Sequence, residues 1–130
     1  EMLFQAARKL PGNHNWLCDD AAALSFQSES FDKIICFSAF PHFSNQQQAL
    51  KEMFRICRQG GKILIFHLDS STVLNEFHAE LEEPVCFDTL PPLSHMKTML
   101  HQAGFIVEKA CEKEGLYWVE AGKAGTMNNE

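Results

Sequence analysis

The amino-acid sequence predicts an open, three-layer α/β fold built on a mostly parallel sheet. Three observations predict it. Residues 30–68 read as apolar strand, capped amphipathic helix, Gly-Gly turn and second apolar strand, a complete βαβ unit in about the shortest length such a crossover takes. The strand segments are apolar without alternation, the pattern of strands covered on both faces. Along the chain the elements run α, β, loop, β, α, β, α, α, β, β, and such alternation makes a layered α/β sheet.

The elements follow in order from local signals. Residues 2–10 are helix-like, because Leu3, Ala6, Ala7 and Leu10 recur at helical spacing and Pro11-Gly12 stops the run. Residues 15–18 read as a short strand, and Asp19-Asp20 as a polar turn at its C-terminal end. Residues 21–30 are loop. Residues 31–37 are a buried strand, with Ile34, Ile35, Cys36 and Phe37 apolar in succession. After the loop at 38–43, Ser44 or Asn45 caps a helix, with Gln47 or Gln48 three residues on to complete a capping box. Leu50, Met53, Phe54 and Cys57 form its apolar stripe. Arg55 and Arg58 suit the negative end of the helix dipole. Gly60 and Gly61 end the helix, since a helix stop needs a positive φ angle. Residues 62–68 are the next strand, made parallel to the first by a right-handed crossover.

Ser70 or Ser71 caps a helix running to about Leu81, with Val73, Leu74, Phe77 and Leu81 facing the core. Asn75, His78 and Glu82 lie on a different flank. Residues 83–93 carry Pro84, Pro91 and Pro92 and read as an irregular, lid-like loop that includes Phe87. Ser94 caps a further helix, with Met96, Met99, Leu100 and Ala103 inward and Gly104 as its stop. Residues 105–111 and 116–121 are strands joined by a short turn, hence an antiparallel hairpin. Residues 1–123 form one domain and 124–130 a frayed tail.

Composition narrows the function. A chain of 130 residues with 45% hydrophobic and 22% charged residues is one ordinary globular domain. No apolar run approaches the roughly 20 residues a membrane helix needs, and no signal peptide is visible. A net charge of −6 with scattered Lys and Arg argues against nucleic acid as the main partner. The five cysteines, Cys18, Cys36, Cys57, Cys86 and Cys111, include no Cys-x-x-Cys pair, and an odd count suits no disulfide framework. They read as reduced thiols of a cytoplasmic protein. Glu1 already stands inside a helical pattern, so a preceding segment is expected.

In open α/β sheets ligands bind beyond the C-terminal ends of the parallel strands. That singles out the loops at 19–23, 38–43 and 68–71. The first carries Asp20-Ala21-Ala22-Ala23-Leu24-Ser25-Phe26, followed by Ser30-Phe31-Asp32. The second carries Ala39-Phe40-Pro41-His42-Phe43. Between the second and third runs Ala49-Leu50-Lys51-Glu52-Met53-Phe54-Arg55-Ile56-Cys57-Arg58-Gln59-Gly60-Gly61-Lys62. In order and spacing these segments resemble the class I S-adenosylmethionine-dependent methyltransferases. Ala103-Gly104-Phe105 and the terminal hairpin also fit, so the resemblance covers nearly all of residues 1–122. Gln59 and Ser25 stand where that family commonly has proline. The family's first strand with its glycine-rich loop, and its second strand with its acidic end, have no counterpart. The resemblance therefore implies a Rossmann-like methyltransferase sheet that is N-terminally truncated.

It also implies a chemistry. S-adenosylmethionine would be the cofactor and a small molecule the acceptor. Asp20 would accept a hydrogen bond from the adenine amino group, the Ala21 N–H would meet a ring nitrogen, Met2 would pack on the adenine face, and Ser38 would join the cofactor set. Methyl transfer needs placement, exclusion of water and sometimes a base. His42, at the mouth of its strand, is the natural candidate near the methyl group; a loop histidine packed between aromatics is the plain alternative. His67, Asn75 and His78 form a second candidate set for a metal or a polar substrate, or else satisfy local backbone. Two other functions remain open. One is a non-catalytic interaction or dimerisation module derived from the same sheet, whose exposed edge offers a route to a homodimer. The other is a metal-dependent α/β hydrolase using His67, Asp69 and His78.

Overall fold

The structure is a computed structural model and describes residues 1–10, 12 and 14–125. The elements are α1 (Met2–Lys9), β1 (Phe31–Phe37), α2 (Gln46–Ile56), β2 (Cys57–His67), α3 (Ser71–Ala79), α4 (Leu93–Ala103), β3 (Ile106–Lys113) and β4 (Leu116–Gly122), with short 3-10 turns at Phe40–His42 and Val85–Phe87. The predicted stop at Pro11 and residues 126–130 of the predicted tail lie outside the described residues.

The four strands form one open sheet in the order β1-β2-β4-β3. β1 and β2 are parallel, and β4 runs antiparallel to both β2 and β3. Three strands therefore point one way and β4 alone the other, as the βαβ unit and terminal hairpin predict. The register Cys36–Ile65–Val119 puts one row of side chains on one face. That face meets α2 and α4 through a core that includes Phe40, Leu50, Met96, Leu100, Phe105 and Tyr117. Each large side chain buried there stabilises the fold by about 1.5–3 kcal/mol relative to exposure. The buried Tyr117 hydroxyl donates to the Pro91 carbonyl at 2.8 Å, so its polar end is satisfied.

Several expectations need correction. β1 is not covered on both faces: Ile35 and Phe37 point to the opposite face and are 67% and 47% exposed. Among the described residues the helices packed on the sheet lie on the other side, and β1 has no outer neighbour. Residues 14–19 have no regular secondary structure, so the strand at 15–18 does not form; only a single bridge joins Asp20 to Ala23. A strand needs a partner, and this stretch has none among the described residues.

Gly60 and Gly61 do not end α2. The helix stops at Ile56, and Cys57, assigned to its stripe, is extended and opens β2. The glycines make an irregularity inside β2, which advances from Cys57 to Lys62 while β1 advances from Phe31 to Lys33. Gly60 has φ +80°, and its N–H donates to the Lys123 carbonyl at 2.8 Å. Asn45 caps α2 by accepting from the Gln48 N–H at 3.1 Å, but Gln48 turns its own amide to the Ala22 carbonyl instead of closing the box.

α3 ends at Ala79, short of Leu81. Val73, Phe77 and Leu81 are exposed, and of the predicted stripe only Leu74 packs on the core. Its inward face is Ser71, Leu74 and His78. Ser94 does not cap α4 either: the N-cap is Pro92, which has no side-chain donor or acceptor, and the Glu112 carboxylate accepts from the Leu93 N–H at 3.0 Å. The loop at 83–93 is no loose lid, because Leu90 and Pro91 are buried and Asn75, Gln46 and Tyr117 all bond its backbone.

Candidate functional site

The loop at 19–26 owes its shape to two devices. Asp19 and Asp20 fold it locally. One Asp19 oxygen accepts from the Ser25 N–H at 2.7 Å and the other from the Asp20 N–H at 3.0 Å, while Asp20 accepts from the Ala22 N–H at 2.9 Å. These are Asx-type turns, in which a short carboxylate mimics a backbone turn. The Ser25 N–H, outweighing the effect of burial, holds the Asp19 carboxyl below its ordinary range.

The second device comes from α2. Arg55 donates to the Leu24 and Phe26 carbonyls at 2.9 and 2.8 Å and to Glu52 at 2.7 Å; Glu52 accepts from the Leu24 N–H at 2.8 Å. A planar guanidinium suits such a fork of acceptors. α2 thereby pins a strandless loop against the sheet.

The result is a cleft of about 230 Å³ beyond the C-terminal end of β1. Asp19, Asp20, Ala21, His42, Phe43 and Asn45 are among its lining residues. Asp20, Ala21 and His42, predicted as separate positions, are thus brought together. Ser38 directly follows β1 with φ +53°, and its N–H donates to the Phe66 carbonyl at 3.1 Å. A left-handed conformation at a non-glycine residue is uncommon and is found disproportionately at functional sites. Met2 is not brought in: α1 buries none of its residues, and Met2 is not among those lining the cleft.

Behind His42 lies a histidine cluster. His42 Nδ1 is 2.7 Å from an Asp88 carboxylate oxygen. His78 Nδ1 lies 3.0 Å from the Asp88 carbonyl, which only accepts, so this nitrogen carries a proton. The His42 and His78 rings are 5.2 Å apart. His67 closes β2 at 3% exposure, and its Nε2 is buried without a hydrogen-bond partner among the described residues. Burial first, then the neighbouring His42 and His78, pushes its pKa down to about 4, with Asp69 opposing. Asn75 spends its amide on the Leu90 backbone.

Among the described residues no three His, Cys, Asp or Glu side chains are arranged to hold a metal ion. His67, Asp69 and His78 therefore do not form the ligand set that the hydrolase alternative needs. Burial pushes the Cys36 thiol up to about 12, as suits an inert core cysteine. Sequence reasoning missed Asp88 and gave Phe43 no separate role. Asp88 was open to discovery as the one acidic residue among the apolar and proline residues of 84–92.

Residues 1–65 match the model of a family described as a methyltransferase domain. The ubiquinone/menaquinone biosynthesis C-methyltransferase UbiE of Dinoroseobacter shibae is 29% identical over 92 residues, 71% of this chain and 36% of that protein. A demethylmenaquinone methyltransferase of Mycobacterium tuberculosis is 36% identical over 67 residues, 52% of this chain and 27% of that protein. The chain thus spans about a quarter to a third of the length of these relatives. Among solved structures, the methyltransferase bound to the Trm112 activator of Haloferax volcanii superposes with a TM-score of 0.80 at 15% identity, covering 95% of this chain and 68% of that one. YcgJ of Bacillus subtilis superposes with a TM-score of 0.66 at 27% identity, covering 81% and 47%.

Proposed function

Because the chain belongs to the methyltransferase domain family, we propose that it carries the adenine side and the acceptor side of an S-adenosylmethionine-dependent methyltransferase acting on a small molecule. The observation that carries this reading is the cleft that Asp20, Ala21 and His42 share.

The donor set there suits the cofactor. Asp20 spends one hydrogen bond on Ala22 and retains carboxylate acceptor sites for an exocyclic amine. Phe43 gives the cleft an apolar wall against which a flat base can lie. When bound, S-adenosylmethionine supplies an electrophilic methyl group on a sulfonium. The residues of this chain do the holding: Asp20 and Ala21 orient the base, Ser38 borders it at the end of β1, and His42 stands toward the acceptor. The relatives named for ubiquinone/menaquinone biosynthesis and for demethylmenaquinone methylation support a small acceptor. The acidic charge of the chain argues in the same direction.

Titration calorimetry with S-adenosylhomocysteine tests the reading. Saturable binding that Asp20→Ala weakens supports it, and absence of binding contradicts it. An apolar groove of about 520 Å³ beside β1, lined by Phe26, Phe31, Ile35 and Phe37 among others, favours a second reading as an interaction module. That reading predicts self-association without any binding of S-adenosylhomocysteine.

A further inference from the structure

Asp88 holds two histidine rings at once. Its carboxylate meets His42 Nδ1 at 2.7 Å, and its carbonyl accepts from His78 Nδ1 at 3.0 Å. From this geometry we infer that Asp88 positions His42 as the proton acceptor for a substrate bearing a weakly acidic hydroxyl, a phenol or an enol. The inference rests on the methyl-transfer reading and names its acceptor class.

An ionised carboxylate only accepts hydrogen bonds, so it fixes the proton of neutral His42 on Nδ1 and leaves the Nε2 lone pair free. Such a pair is an oriented base. His42 is reachable, because its side chain is 45% exposed and lines the cleft with Asp20 and Ala21. Asp88 is held firmly. Gln46 donates to the Thr89 carbonyl at 2.9 Å, and Asn75 binds Leu90 at both its N–H and its carbonyl. A chain fixed at the two residues following Asp88 keeps the carboxylate in place against His42.

Charged and titratable groups face His42 from several elements. Asp88 faces it directly, and Asp19 and Asp20 share its cleft. On the other side stand His78 of α3, spending its Nδ1 proton on the Asp88 carbonyl, and His67 of β2, which burial keeps neutral. Asp69 lies near His67.

The acceptor class follows from what needs a base. A thiol, with a pKa of about 8.5, ionises in part on its own near neutrality, and an amine that is already neutral reacts through its lone pair. A phenol, with a pKa of about 10 like tyrosine, does not ionise unaided. In the step, the O–H bond breaks and its proton goes to His42 Nε2. The electron pair released on oxygen, or delocalised to the adjacent ring carbon, forms the bond to the methyl carbon of the sulfonium donor. The carbon–sulfur bond breaks with its electrons left on sulfur as a thioether.

The test uses the full chain with S-adenosylhomocysteine and 4-nitrophenol, whose ionised form alone absorbs strongly in the visible. At a pH where the free probe is mostly protonated, wild-type protein should bind it as the phenolate. Asp88→Asn and His42→Gln should each cut that phenolate signal about tenfold or more, with unchanged circular dichroism. Asp88→Glu should restore part of it, and in Asp88→Asn the acidic limb of the ionisation profile should move. A probe bound in its protonated form, a signal indifferent to Asp88→Asn, or no probe binding by a chain that binds S-adenosylhomocysteine overturns the inference and leaves the methyl-transfer reading standing. A phenolate signal that depends on His42 and Asp88 in a chain that does not bind S-adenosylhomocysteine supports the proton-acceptor pair and removes that reading instead.

Discussion

Asn75 and Leu90 exchange two hydrogen bonds: the Asn75 amide donates to the Leu90 carbonyl at 2.9 Å, and its oxygen accepts from the Leu90 N–H at 2.7 Å. Leu90 is fully buried, so its backbone has no recourse to water. Asn75→Ala orphans both groups and should cost about 1–3 kcal/mol. Urea unfolding should show a lower midpoint with an unchanged slope.

Glu112, on β3, caps two helices. It accepts from the Ser71 N–H at 2.6 Å, from the Ser71 hydroxyl, and from the Leu93 N–H at 3.0 Å. Burial opposes its ionisation, yet these three donors outweigh burial and hold the carboxyl below its ordinary value of 4.5. Below that value the unfolded chain binds the proton first. The stabilisation is therefore full above about pH 4.5 and is lost as pH falls through the folded value. Glu112→Gln should lose about 1–2 kcal/mol at neutral pH and show a weaker acid dependence in denaturant unfolding.

His67 acts in a higher window. Its folded pKa of about 4 lies below the ordinary 6.5, so between these values the unfolded chain binds a proton that the folded chain refuses. Stability should be complete above pH 6.5 and fall as the pH drops toward 4, by at most about 1.4 kcal/mol per unit. His67→Phe should flatten this slope in unfolding measured between those limits, while the Glu112 effect at lower pH remains.

Gly61 is required by space. A Cβ there would lie 2.7 Å from Cys57 Sγ, 2.8 Å from the Arg58 carbonyl oxygen and 2.9 Å from the Asp32 carbonyl oxygen. Two of those neighbours are backbone and cannot step aside. Gly61→Ala should destabilise by about 1–3 kcal/mol. Gly60→Ala meets no atom within 4 Å, and its cost should come from its φ of +80° alone. Thermal unfolding of the two variants separates overpacking from backbone strain.

What the sequence made legible was local. The Asn45 cap, the stripe of Leu50 and Met53, and the Gly104 stop are signals carried by neighbouring residues, and each is found where expected. Signals that depend on a distant partner misled. The run at 15–18, with Trp16 and Leu17, has β propensity but no strand beside it among the described residues. Val73 and Phe77 mark an apolar side of α3, but among the described residues no packed layer lies over it. Glu112 replaces Ser94 as the cap of α4 from another strand. The candidate site divides in the same way. Asp20 and His42 are visible singly, but their shared cleft depends on Arg55 pinning the loop at Leu24 and Phe26. Asp88 stands 46 residues from His42 in an irregular loop, and only the fold brings the two together.

The central claim is that the cleft beyond β1 is the adenine side of a cofactor site. Amide chemical-shift mapping of the full chain during titration with S-adenosylhomocysteine tests it most directly. Saturable shifts confined to residues 20–22 and 42–45, with Ser38 at their border, are expected, and they should be lost in Asp20→Ala. No saturable shifts, or shifts that Asp20→Ala leaves unchanged, would contradict it.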